Sequence, residues 1–157
     1  MNKQIKTLLT ILFVCIVSSL LSGCGFFGET VCEVQDRNGL VYLPNQEEPF
    51  TGKNLCKYEN GQKKVEGNYK DGKEDGKWTE WYENGQIKSE GNYKDGKKDG
   101  KWIWWNKNGQ KVRQTNYKDG KKDGKQTDWN KNDQKWVDTT FINGECTSGD
   151  CDYWKIR

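Results

Sequence analysis

The sequence predicts an all-β fold, an elongated antiparallel β-meander built from 24-residue β-hairpin units that follow an N-terminal signal helix. An Asn-Gly recurs at Asn60-Gly61, Asn84-Gly85 and Asn108-Gly109, decays to Asn132-Asp133, and keeps register with an aromatic column of Tyr69, Tyr93, Tyr117 and Phe141. A second turn dipeptide follows each aromatic, at Asp71, Asp95, Asp119 and Asn143, and such dipeptides favour tight type I′ hairpins. Glycine also returns too often for any helix of roughly ten to twelve residues.

Residues 1–23 read as a signal peptide: Lys3 and Lys6 precede an apolar run from Thr7 to Leu20. That run is shorter than the roughly 20 residues of a membrane-spanning helix. It ends in Leu21-Ser22-Gly23-Cys24, which resembles the bacterial lipobox. The resemblance implies that Cys24 is acylated, for example by palmitate, and becomes the first mature residue, with residues 24–30 as a lipidated tether. The membrane is then a partner through Cys24, and the location is the cell envelope. Gly25 is compatible with outer-membrane sorting.

Residues 31–50 are expected to form an N-terminal hairpin cap turning at Asn38-Gly39. Residues 51–146 hold four repeats. In each, a first strand (Lys77 to Glu83, Lys101 to Lys107, Lys125 to Lys131) and a second strand (Gln86 to Tyr93 and its equivalents) are joined by the Asn-Gly turn. The segment from Asp95 to Gly100 and its copies are read as a two-glycine loop returning the chain to the next unit. Residues 147–157, with Tyr153 and Trp154, are expected to cap the far end.

Alternation along a strand places Thr79 and Trp81 on one face and Trp78 and Tyr82 on the other. No leucine follows Leu55, so stacked Trp and Tyr rings are expected to hold the sheet in place of an aliphatic core.

Removing Lys3 and Lys6, with no acid before Glu29, lowers the formal charge from +3 to +1. Lysines alternate with acids in every unit, which leaves no stripe of one sign for a phosphate backbone, so nucleic acid is not an expected partner. Cys32, Cys56, Cys146 and Cys151 remain once Cys15 and Cys24 are set aside. Four cysteines allow three connectivities. The pairing Cys32 with Cys56 and Cys146 with Cys151 is favoured, because each pair brackets one exposed end of the array. The chain has no histidine and no C-x-x-C, so neither a metal site nor a cofactor is expected. No poised acid, base or nucleophile stands outside the repeated frame, so no catalytic residue is assigned and the chain is not expected to be an enzyme. The loop aspartates alternate with lysines, which oppose a calcium ion.

The unit running Asp75-Gly76-Lys77-Trp78, Trp81-Tyr82-Glu83-Asn84-Gly85-Gln86 and Asn92-Tyr93-Lys94-Asp95-Gly96-Lys97 resembles the bacterial variant of the MORN repeat (membrane occupation and recognition nexus). The opening Arg37 to Tyr42, with Pro49 to Lys53, is similar to YwqK-type antitoxins of that family. The resemblance covers residues 37–146 and implies a twisted sheet presenting a surface to proteins or lipid. The antitoxin label implies an inhibitor of a toxin or enzyme. Trp81, Tyr82, Trp104, Trp105 and Trp129 form the candidate binding surface, and a protein is the expected partner. Cell wall and lipid head groups are the alternatives, since exposed Trp and Tyr also serve as platforms for sugars and cages for cations.

Overall fold

The computed structural model describes residues 34–132 and 134–152. The expectations for the signal peptide, the tether with Cys24, Cys32, Asp133, Tyr153 and Trp154 lie outside the described residues. A two-stranded sheet of β1 (Gln35–Arg37) and β2 (Leu40–Tyr42) precedes a ten-stranded antiparallel meander. Its strands are β3 (Gly52–Lys57), β4 (Lys63–Lys70), β5 (Lys73–Glu74), β6 (Gly76–Trp81), β7 (Ile87–Lys94), β8 (Lys97–Trp105), β9 (Lys111–Lys118), β10 (Lys121–Trp129), β11 (Lys135–Ile142) and β12 (Glu145–Gly149). Chain neighbours are sheet neighbours from β6 to β12, and β4 pairs with β3, β5 and β6. The fourth unit folds like the others, with β10 and β11 paired from Gly124–Phe141 to Trp129–Lys135.

The two turn dipeptides are physically different. At Asp95-Gly96 both residues have positive φ, 51° and 79°, as a two-residue type I′ turn demands. Asp71-Gly72, Asp119-Gly120 and Asn143-Gly144 repeat it. The Asn-Gly turns, expected to be type I′, are not. Only Gly85 of the Asn84-Gly85 pair has positive φ, 83°. Gly85 N donates to Tyr82 O at 2.9 Å, and Tyr82 N donates to Gln86 O at 2.8 Å. This is a three-residue loop ending in a glycine bulge, and the register shifts beside it, between Glu80 and Trp81. Strict alternation therefore stops at Trp81, and parity does not reach Tyr82.

The expected loop from Asp95 to Gly100 is also corrected. Its turn is only Asp95-Gly96, and Lys97 to Gly100 already belong to β8, with Lys98 opposite Tyr93. Gly100, at φ 74°, absorbs a bulge within that strand rather than a second turn.

Both turn edges tie one unit to the next. On one edge the Tyr58 hydroxyl donates to Trp81 O at 2.7 Å and the Tyr82 hydroxyl to Trp105 O at 2.9 Å. Asn60 and Asn84 side chains reach Glu83 O and Lys107 O in the same manner. On the other edge Gly96 N donates to Glu74 O, Gly120 N to Lys98 O and Gly144 N to Lys122 O.

One face carries the core. Tyr69, Trp78 and Trp102 are buried, and Phe50, Val65, Tyr93, Trp104 and Tyr117 pack around them. The rings meet edge to face more than they stack: Tyr69–Trp78, Trp78–Tyr93 and Tyr93–Trp102 are T-shaped at 5.4, 5.7 and 5.0 Å, and Trp102–Trp104 is the stacked pair. The opposite face carries ion pairs at the repeat interval, Lys53–Glu66, Lys77–Glu90 and Lys125–Asp138. Hydrogen bonds from Lys53 and Lys63 hold the Glu66 carboxyl below its usual range, and the Thr127 hydroxyl followed by Lys125 does the same for Asp138.

The far end is clamped as expected. Cys146 and Cys151 form a disulfide with Cα atoms 5.7 Å apart, and β12 pairs back on β11. Cys56 is disulfide-bonded, while its expected pairing with Cys32 lies outside the described residues.

Candidate functional site

Loop closure at Asn84-Gly85 and Asn108-Gly109 puts the ends of β6, β8 and β10 side by side, and one cleft forms there. It encloses about 320 Å³ and is lined by Tyr82, Lys88, Trp104, Trp105, Val112, Arg113 and Asp128. Three of the expected surface residues, Tyr82, Trp104 and Trp105, thus come together. Trp104 is fixed by stacking on Trp102 and by an edge contact with Tyr117. Tyr82 is fixed by its hydroxyl bond to the backbone of Trp105. The aromatic groups are consequently held in place before any partner arrives.

The charged rim comes from residues that break the repeat. Arg113 stands where the previous unit has Ser89, and Asp128 where it has Trp104. Arg113 Nε donates to Asp128 Oδ1 at 2.6 Å, and Gln126 Nε2 donates to Asp128 Oδ2 at 2.8 Å. Lys88 closes the rim, ion-paired with Glu80 at 3.1 Å, whose carboxylate raises its pKa. Sequence reasoning missed Lys88, Val112, Arg113 and Asp128. For Arg113 and Asp128 the signal was the departure from the repeat itself.

The other two expected residues lie apart. Trp81 belongs to a separate cleft of about 460 Å³ with Lys53, Glu66, Lys77, Thr79 and Glu90. Lys63 Nζ sits 5.3 Å from its ring centroid. Trp129 lies under Lys111 Nζ at the same 5.3 Å. Among the described residues no group of three or more His, Cys, Asp or Glu side chains converges as a metal site.

The two alternating turn types, the Tyr column and the Trp at the head of each first strand together define the unit. Three stretches match the MORN repeat variant. They are residues 50–71, 74–95 and 98–119. Among curated proteins none matches this chain. Each MORN-variant stretch begins at Phe50, Glu74 or Lys98, contains one three-residue loop and closes on a type I′ turn. MORN repeats are in general non-catalytic modules that bind protein or membrane. The cleft of Tyr82, Trp104 and Trp105 spans the second and third MORN-variant stretches, with Asp128 reaching in from the eroded fourth unit.

Proposed function

We propose that the chain is a lipid-anchored, non-catalytic protein of the bacterial envelope whose MORN-variant sheet binds a protein partner through the Tyr82–Trp104–Trp105 cleft. The observation that carries the reading is the composition of that cleft: rigid aromatic groups at the centre, Arg113, Asp128 and Lys88 at the rim. Aromatic and arginine side chains in that arrangement are the commonest source of binding energy at protein interfaces. Cys24 supplies the anchor, and an envelope location follows from its acylation.

A cationic head group is less well served by these rings. Lys63 covers Trp81, Lys98 lies over Trp102 and Trp104, and Lys111 covers Trp129, so the chain's own ammonium groups occupy ring faces that a cage would offer. A cell-wall or lipid-head-group module remains the second reading. The Trp81 cleft favours it, since a tryptophan beside Lys, Glu and Asn side chains can hold a sugar ring. The inhibitor reading differs from the first only in what the partner is.

The test is affinity capture from envelope extract with wild-type chain, with Trp105→Ala and with Trp136→Ala, an exposed tryptophan outside the cleft. A protein retained by wild type and Trp136→Ala but lost by Trp105→Ala supports the proposal. Retention on wall or lipid with no protein enriched moves the assignment to the second reading. Cys24→Ser releases the chain from membranes if Cys24 is the anchor.

A further inference from the structure

Next to the cleft, on the aromatic face, two lysines stand at the same point of successive units. Lys98 on β8 is cross-strand from Tyr93, and Lys122 on β10 is cross-strand from Tyr117. The same position is Glu74 in the unit before and Cys146 in the unit after, so the column is basic only across β8 to β10. Lys98 Nζ lies 4.4 Å from the Trp102 ring centroid, 5.1 Å from Trp104 and 5.5 Å from Tyr117. Lys122 Nζ lies 4.5 Å from the Phe141 ring.

The carboxylates of this face are already engaged elsewhere. Glu80 pairs with Lys88, and Asp128 accepts from Arg113 and Gln126. Among the described residues Lys98 makes no ion pair; its contacts are the three rings. Burial lowers the pKa of both lysines, and the nearby Arg113 lowers that of Lys122 further. Cations held half out of water without a full complement of negative charge are sites where an incoming carboxylate is attracted most strongly.

We propose that Lys98 and Lys122, flanked by Trp104, Tyr117 and Phe141, form a docking strip for an extended acidic segment of a protein partner. The proposal rests on the protein-binding reading above and gives that partner its chemistry. Trp104 lines the cleft and also lies under Lys98, so the strip and the cleft form one continuous surface.

Geometry narrows the segment. Lys98 and Lys122 sit two strands apart, and with neighbouring strands about 4.8 Å apart their backbones are separated by about 10 Å. A polyproline II segment has three residues per turn and rises about 3.1 Å per residue, so side chains three apart share a face at about 9.3 Å. The strip therefore selects acidic residues at every third position of an extended chain. Alkyl stems and rings from both sides pack on the aromatic floor.

The experiment uses the purified full chain and a capped peptide of repeated Glu-Pro-Pro, with Gln-Pro-Pro as its neutral counterpart, measured by calorimetry at low and high salt. Wild type binds the acidic peptide, the neutral peptide does not, and salt weakens the complex. Lys98→Gln and Lys122→Gln each weaken it by about tenfold, the loss of one charged contact. Lys98→Arg retains it. Lys77→Gln, on the opposite face, leaves it unchanged, and thermal unfolding shows that each variant stays folded. Failure of wild type to bind, equal binding by both glutamine variants, or an equal loss in Lys77→Gln overturns the proposal. Binding to phosphatidylglycerol vesicles without binding to the peptide also overturns it and assigns the strip to the membrane. Those outcomes leave the Trp105-dependent capture untouched, so failure of the strip is distinguishable from failure of the protein-binding reading.

Discussion

Trp102 lies on the backbone of Gly91: a Cβ placed at that glycine would fall 2.3 Å from the indole Cδ2. The previous unit repeats the contact more tightly, with a Cβ on Gly67 falling 1.9 Å from Trp78 Cε3. These two glycines have no positive φ to justify them. They are glycines because a buried ring occupies the space of a side chain, which lets a single-layer sheet bury two indoles.

Gly91→Ala is accordingly expected to destabilise the fold more than an ordinary glycine substitution in a strand, where alanine is tolerated or helps. The indole must leave its rotamer or the strands must part, at a cost of about 1–3 kcal/mol. Denaturant titration checks this, with Gly76→Ala as a contrast, where a Cβ meets nothing within 4 Å although φ is positive. Equal losses at the two sites would sink the steric account.

Alkaline pH should unfold the sheet through its tyrosines. Burial, reinforced by the Glu74 charge, pushes Tyr69 and Tyr93 up to about 12, and burial also raises Tyr117. An unfolded tyrosine ionises near 10. Between those values the unfolded chain releases protons that the folded chain retains, so the contribution is full below about pH 10 and is lost by about pH 12. Lys98 and Lys122, shifted down, act in the opposite sense, so the comparison is with Tyr69→Phe, in which both lysines remain. Urea midpoints followed with tyrosinate absorbance should fall less steeply with pH in that variant. Parallel slopes would mean that Tyr69 is not a source of the pH dependence.

Much of this was legible in the sequence for a definite reason. The period of 24 set Tyr69, Tyr93, Tyr117 and Phe141 in one column, and a column in an antiparallel repeat is a sheet face. Type I′ turns at Asp71-Gly72 and its copies were readable because the dipeptide sits between residues that pair directly. The Asn84-Gly85 turn was not, because the same dipeptide also ends a three-residue loop, and pairing of Tyr82 with Gln86, not the dipeptide, decides between them. Tyr82, Trp104 and Trp105 were recognisable as surface candidates. Trp81 and Trp129 fell away from them because the bulge at each loop re-aims one residue per unit. Arg113 and Asp128 looked like erosion of the repeat, and their meaning appears only when β9 and β10 bring them within 2.6 Å.

The link between ring and glycine also accounts for that erosion. Gly67 is followed by Trp78 and Gly91 by Trp102, but the next pair, cross-strand neighbours on β9 and β10, is Thr115 and Gln126. With a threonine on β9 there is no bare backbone for an indole to lie on, and the shorter Gln126 takes its place. The exchange leaves Thr115 Oγ1, Gln126 Oε1 and Thr139 Oγ1 buried without a protein hydrogen-bond partner, a cost that the tryptophan units avoid. Gln126→Trp alone should therefore destabilise by overpacking against Thr115, by about 1–3 kcal/mol. Thr115→Gly alone should also destabilise, through lost packing and strand propensity. Together they rebuild the Gly91–Trp102 arrangement, so the double variant should be more stable than the sum of the single losses predicts, with a coupling of about 1 kcal/mol or more in a double-mutant cycle. Simple additivity would show that tryptophan and glycine recur in these units for separate reasons.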